Sequence, residues 1–228
     1  MKISNEIWAI IPARSGSRAI KNKNIKLLKG KPLLAYSVIA AKKSKKISKI
    51  VLSSDSENYF KIANRYSELI FHRRPKKISG HNSTDLEFFQ NFVNKFEGIL
   101  PKYFVHLRPT TPFRDPKLLD TVINNFIKNE QKYTSLRSVN QISNKIFKSV
   151  LIKKKKLFSP IFQSYGLDII NSSRQSYEKA YLGNGYIDII KTKNIIKGFL
   201  HGNKVMPYVC NFLVADIDNI EDLRKAKK

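Results

Sequence analysis

Residues suited to chemistry gather in two stretches of this chain. The loop Ala13-Arg14-Ser15-Gly16-Ser17-Arg18-Ala19-Ile20-Lys21-Asn22-Lys23-Asn24 mixes small side chains, which let the backbone approach an anion, with cations at Arg14, Arg18, Lys21 and Lys23. Such a mixture suits a phosphate. Neither standard phosphate motif fits, and a solvated basic loop has the same composition. The second stretch is Asp216-Ile217-Asp218. In an extended chain residues two apart face the same way, so both carboxylates project to one side, and with a substrate phosphate they make a partial shell for Mg2+. Asp218 is also placed to cap a helix that follows it. Arg74-Pro75 and Arg108-Pro109-Thr110-Thr111-Pro112 add arginines on loops that proline stiffens, suited to phosphate or carboxylate recognition or to plain surface exposure.

Other chemistries find less support. No Gly-x-Ser-x-Gly elbow is present, which argues against a Ser-His-Asp hydrolase. Cys210 is the only cysteine, and His72, His81, His106 and His201 are not at ligand spacing, so neither an intrachain disulfide nor structural zinc is expected. Gly183-Asn184-Gly185 precedes its strand instead of following one, so it reads as a tight turn and not as a dinucleotide loop. Lys148, Arg174 and Asn184 stand in no local pattern that would single them out.

The loops need a scaffold, and the apolar pattern supplies one. Residues 7–11 form a continuous apolar run, as in a strand covered on both faces. Pro32 opens a helix through about residue 43, residues 49–53 read as a strand, 57–66 as a helix and 69–72 as a short strand. Thr84 and Glu87 form a capping box ahead of a helix carrying Phe88, Phe89, Phe92, Val93 and Phe96. Residues 103–107 are a further strand. Asp115-Pro116 starts a helix carrying Leu118, Leu119, Val122, Ile123 and Phe126, and a strand follows at 133–139. From 140 to 180 the helical period disappears and isolated apolar pieces remain. Strand character returns at 185–190 and 212–214, and Asn219 can cap a last helix from Ile220. Alternation of strand and helix predicts an α/β sandwich, a mostly parallel sheet between helices, as one domain over 1–228 with an inserted subregion at about 140–180.

Lys plus Arg number 43 against 17 acidic residues, a net charge of +26, which raises nucleic acid as a partner. The lysines are spread along the chain among Ile and Asn, with a true run only at 153–156, so compositional drift explains them as well. No stretch of about 18 apolar residues exists to span a membrane, and a cytoplasmic protein is expected.

Taken together, Ile11 to Ser17 leading to Lys21-Asn22-Lys23-Asn24, then Ser53-Ser54-Asp55-Ser56, Arg74-Pro75, Arg108 to Arg114, Arg174-Gln175, Asn184-Gly185 and Asp216-Ile217-Asp218 follow the order seen in acylneuraminate cytidylyltransferases, the CMP-sialic acid synthetases. The chain resembles that family over nearly its whole length. The resemblance implies a Rossmann-like nucleotidyltransferase fold and a reaction of CTP with a nine-carbon 2-keto sugar acid, giving a CMP-sugar and pyrophosphate with Mg2+. It implies a nucleotide site at Ala13, Arg14, Ser17, Lys23, Asn24, Arg74, Ser83 and Thr84, with Arg14, Arg18, Asp216 and Asp218 in catalysis. The two aspartates would be the metal ligands, and Arg108, Lys148, Arg174, Tyr181 and Asn184 would lie on the sugar side. It also implies a homodimer that exchanges contacts through residues 140–180, where Phe147, Phe158, Phe162 and Tyr165 would otherwise be exposed. Specific nucleic-acid binding and membrane insertion are not implied. The chain departs from the usual pattern at Arg18-Ala19, where the family has Lys-Gly, at His81 in place of Asp, and at Arg108 in place of Gln. These departures leave sialic, legionaminic, pseudaminic and related acids all open.

Overall fold

The computed structural model describes residues 2–162 and 166–227, with only the backbone at Arg174. Strand β1 (Ile7–Pro12) lies in the interior of the sheet. Ile7, Ala9 and Ile11 turn to one face and Trp8 and Ile10 to the other, so a strand buried on both sides needs an unbroken apolar run. A short hairpin, β2 (Leu27–Leu28) with β3 (Lys31–Pro32), leads to α1 (Leu33–Lys43). Then come β4 (Lys49–Ser54), α2 (Glu57–Asn64), β5 (Ile70–Arg73), α3 (Asp85–Lys95), β6 (Tyr103–His106) and α4 (Pro116–Lys128). The expected starts of α3 and α4 are formed: Thr84 and Glu87 make the capping box of α3, and the Asp115 side chain accepts from the Lys117 N–H ahead of Pro116.

The second half contributes β7 (Ser135–Ile142), the hairpin β8 (Leu151–Lys153) with β9 (Lys156–Phe158), then β10 (Ala180–Lys191), α5 (Thr192–Ile196), β11 (Val205–Val209) and α6 (Ile220–Lys227). Seven strands form one mixed sheet in the order β11-β7-β10-β6-β1-β4-β5. β1, β4, β5 and β6 run parallel, and β10 is antiparallel to both of its neighbours. α1, α2 and α4 cover one face and α3 with α5 the other, which is the expected sandwich.

A third, smaller core joins distant parts of the chain. Ile20 from the basic loop, Leu28 and Leu33 from the hairpin and α1, Ile217, and Leu223 of α6 pack together. That cluster fixes the C-terminal carboxylates beside the loop that follows β1.

Two expectations are corrected. Residues 212–214 form no strand: after Val209 the chain leaves the sheet, the Asn140 side chain takes up the carbonyls of Cys210 and Phe212, and Leu213 is almost wholly exposed. The edge strand is instead β11, which carries Pro207, a residue that only an edge tolerates. Gly183-Asn184-Gly185 is not a turn but a register shift inside β10. Gly185 has φ +68°, the left-handed region that favours glycine, and a Cβ there would make a tight 3.2 Å approach to Thr111 Oγ1.

Candidate active site

The parallel strands β1, β4, β5 and β6 end at one edge, where open α/β sheets bind ligands, and a cavity of about 430 Å³ opens there. From the basic loop Arg14, Ser17, Lys23 and Asn24 line it; from the loops after β5 and β6, Arg74, Ser83, Thr84 and Arg108 do so. Asp216 and Asp218 close it from the C-terminal side.

The basic loop is held by groups around it. Asp55, just past β4, accepts from the Ser15 N–H and from its hydroxyl, both at 2.8 Å, and Asn24 donates to the Arg14 carbonyl at 2.9 Å. Arg14 donates to the Gly80 carbonyl. Asp55 is a loop anchor that the pattern of residue types did not single out; its signal was a Ser-Asp at the end of the strand next to β1. Ala13 does not line the cavity. It is buried in the core, its N–H given to the Ser53 carbonyl and its own carbonyl accepting from Ser54. Arg18 is exposed in an adjoining recess with Lys77, His81 and Asn82.

The carboxylate pair has the alternation expected of extended chain, with Ile217 buried and Asp216 and Asp218 exposed on either side, although the segment is not a strand. The Ile217 N–H is fixed to the Thr110 carbonyl at 2.8 Å. Capping of α6 falls to Asn219, whose side chain accepts from the Glu221 and Asp222 N–H groups. The Asp218 carboxylate is therefore free for the cavity and meets Lys23 Nζ at 2.9 Å. Partial burial pushes the Asp216 carboxyl up, helped by Asp218 and opposed by a hydrogen bond from Thr110. Among the described residues no three His, Cys, Asp or Glu side chains converge as a protein-only metal cage. Two carboxylates completed by phosphate oxygens are nevertheless the donor set that Mg2+ accepts.

Arg108 is gripped from two sides in the cavity. Its Nη1 donates to Asp188 at 2.7 Å and its Nη2 to Asp85 at 2.8 Å, so both ends of the fork are held by carboxylates. Asp188 is completely buried on β10. Arg114, in the same loop, is a structural arginine: buried and, among the described residues, without a carboxylate bond, it donates to the carbonyls of Arg108, Thr111, Gly185 and Tyr186, and burial brings its pKa down to about 9.

The remaining sugar-side residues are not brought to this cavity. Lys148 is exposed on a 3-10 turn of the insertion, and Tyr181 is exposed at the start of β10. Asn184 is engaged with Ser138, Asn140 and the Tyr186 N–H. The Arg174 side chain and Tyr165 lie outside the described residues.

A family model described as cytidylyltransferase matches residues 8–178. The chain belongs to the cytidylyltransferase family. The match takes in the basic loop, Arg74, Arg108 and the insertion, and stops before the carboxylate pair. The chain is 33% identical over 191 residues to an N-acylneuraminate cytidylyltransferase of Escherichia coli, covering 84% of this chain and 43% of that protein. It therefore spans less than half the length of that relative. It is 29% identical to a pseudaminic acid cytidylyltransferase of Campylobacter jejuni, covering 96% of this chain and 93% of the relative. In fold it is similar to a CMP:2-keto-3-deoxy-manno-octonic acid synthetase solved with CTP, at a TM-score of 0.70 and 14% identity over 97% of both chains. The sheet with its single antiparallel strand β10 is thus a nucleotidyltransferase fold. Among the described residues no helix is long and apolar enough to cross a membrane.

Proposed function

We propose that the chain transfers CMP from CTP to the anomeric hydroxyl of a sialic-acid-like 2-keto sugar acid and releases pyrophosphate, a reaction placed in the cytoplasm with its nucleotide. The observation that carries this reading is the convergence of Arg14, Lys23, Asp216 and Asp218 on one cavity at the ends of the parallel strands. In the reaction the hydroxyl oxygen attacks the α-phosphorus, the bond from that phosphorus to the oxygen bridging to the β-phosphate breaks, and pyrophosphate leaves with the bonding pair. The hydroxyl proton departs to base. Charge grows on phosphate oxygens, so donors held in place before the reaction supply most of the catalysis. Arg14, Lys23 and the exposed Arg18 meet the triphosphate; Ser17 and Asn24 shape its loop, and Arg74, Ser83 and Thr84 lie toward the cytidine.

Asp216 and Asp218 would hold Mg2+ together with phosphate oxygens, and the bound ion supplies charge neutralisation and a template for the two substrates. Lys23 against Asp218 supports this, since a cation is already accommodated there. Arg108, its charge matched by Asp85 and Asp188, suits a hydroxyl or acyl oxygen of the sugar better than its carboxylate. Lys148, Arg174, Tyr181 and Asn184 would act on the sugar side of a homodimer, a role that suits Lys148 and Tyr181, which are exposed and outside the lining of their own chain's cavity. The names of the relatives support a sugar acid of the sialic, legionaminic or pseudaminic kind.

The test is incubation of the protein and Mg2+ with each of the four nucleotides and a panel of 2-keto sugar acids, with mass spectrometry of the products. A CMP-sugar formed from CTP and one acid is expected. The net charge favours one rival, a nucleic-acid-binding module. Absence of any nucleotide sugar, together with nucleic-acid binding that weakens by orders of magnitude between about 50 and 200 mM salt, would replace the reading with that rival.

A further inference from the structure

Arg74 is buried yet lines the cavity, and its guanidinium lies 4.5 Å above the Phe88 ring. Among the described residues no carboxylate hydrogen-bonds it; Asp55 and Asp85 act on it only through space, and burial brings its pKa down to about 10. What holds it is Ser53, at the end of β4. Arg74 Nε donates to Ser53 Oγ at 3.2 Å and Nη2 to the Ser53 carbonyl at 3.3 Å. Ser53 is register partner to His72 across the β4–β5 pair, and Ser53 Oγ lies 2.9 Å from His72 Nδ1. On its other side His72 Nε2 lies 3.0 Å from Asn91 Oδ1 of α3.

Donor and acceptor roles along this row follow from the Asn91 carboxamide, whose oxygen is turned to His72. A carboxamide oxygen only accepts, so Nε2 of His72 carries the proton and Nδ1 is the acceptor. The Ser53 hydroxyl must then give its single hydrogen to Nδ1, which turns a lone pair toward Arg74 Nε. Phe88 and Phe92, flanking Asn91 on α3, wall the row off: the first lies under Arg74 and the second packs edge-on to His72 at 5.3 Å. Burial also favours the neutral form of His72.

We propose that His72 and Asn91 are positioning residues that act through Ser53 to fix the plane of Arg74 and aim its remaining N–H donors at the nucleotide. The proposal rests on the reading of the cavity as a CTP site. Nothing in this row touches substrate except Arg74. Its effect is to order the guanidinium before CTP arrives, so that binding does not have to restrict it.

The test is a double-mutant cycle read by calorimetric titration of CTP and by kinetics. His72→Phe keeps the ring volume and removes the acceptor. It should weaken CTP binding about tenfold, the scale of one hydrogen bond to a charged group, while leaving kcat at saturating CTP and the KM for the sugar acid within about twofold. His72→Asn, whose oxygen can stand at the place of Nδ1, should restore most of the loss. In an Arg74→Ala background His72→Phe should change nothing further. An equal loss in both backgrounds, or no loss in either, overturns the relay while CTP binding by the parent protein leaves the site reading intact. If the parent protein does not bind CTP, the site reading itself fails. Should His72→Phe not fold, Asn91→Leu and 15N NMR of the native imidazole decide: a proton on Nε2 with a weakened CTP affinity in Asn91→Leu supports the row, and a proton on Nδ1 overturns it.

Discussion

Lys23 Nζ and Asp218 Oδ1 lie 2.9 Å apart although 195 residues separate them in the chain. The small core of Ile20, Leu28, Leu33, Ile217 and Leu223 creates this meeting, because Ile20 and Ile217 are buried in one cluster and carry their polar neighbours to the same side. One consequence is that Asp218 already offsets the charge of Lys23 in the cavity before any ligand enters. An incoming triphosphate with its cation would exchange partners with this pair instead of meeting a bare positive surface.

Asp55 is the anchor of the basic loop through its two bonds to Ser15. Asp55→Ala should raise the KM for CTP about tenfold or more, the scale of one to two charge-assisted hydrogen bonds, and leave kcat at saturation within a few-fold. Steady-state kinetics with varied CTP check this, and an unchanged KM would remove Asp55 from loop control.

Arg108 stands between a partly exposed and a fully buried carboxylate. Arg108→Gln leaves Asp188 buried and without its strongest partner, which should cost about 3 kcal/mol of stability in denaturant unfolding. Adding Asp188→Asn should return most of that loss, since the unpaired charge is then gone. A double variant no more stable than Arg108→Gln alone would show that the loss comes from packing.

Acid should destabilise the fold through its histidines. Burial pushes His106 down from 6.5 to about 3, and Arg108 adds to the shift; His72 and His201 are lowered for the same first reason. Across that window the unfolded chain binds protons that the native chain does not, so stability is complete above the unfolded pKa of about 6.5 and declines as pH falls toward the native values. Urea midpoints measured from pH 8 to 4 should fall with pH, and His106→Leu should flatten the decline. An equal slope in the variant would contradict the assignment to His106.

The insertion gives the dimer its test. Phe147, Phe162 and Tyr177 pack on one another, with Phe147 and Tyr177 stacked at 5.0 Å, and among the described residues of the insertion the exposed large apolar side chains include Leu151, Ile152 and Leu157 of the β8–β9 hairpin, with Ile152 78% exposed. Ile152→Lys with Leu157→Lys should convert a sedimenting dimer to the mass of one chain and lower turnover, with circular dichroism unchanged. A parent protein that is fully active at the mass of one chain would end the dimer proposal.

The scaffold was legible in the sequence wherever one period dominated. The two-sided burial of β1, the capping box at Thr84 and the Asp115-Pro116 helix start follow from local residue types, and each is formed. What escaped depends on contacts between distant segments. β11 carries Pro207, which argues against a strand until its place at the sheet edge is known. The apolar residues at 212–214 resemble a strand, but Phe212 finds its partners in Asn140 and Tyr186 and Leu213 stays exposed. In the site, the loop cations and the aspartate pair were visible as types. Their pairing, the double grip on Arg108 and the His72–Ser53–Arg74 row were not, because each joins residues from different elements of the fold.

The most direct measurement of the central claim is pyrophosphate release by the parent protein and by Asp218→Asn across a range of Mg2+ concentrations. Asn219 caps α6 and the Lys23 pair is exposed at Asp218, so the variant should fold with little change in stability. Release should need both CTP and a sugar acid, fall about a hundredfold in the variant as when one transition-state electrostatic contact is removed, and be partly recovered by excess Mg2+ or Mn2+. A variant with near-normal turnover and an unchanged Mg2+ dependence would contradict the claim.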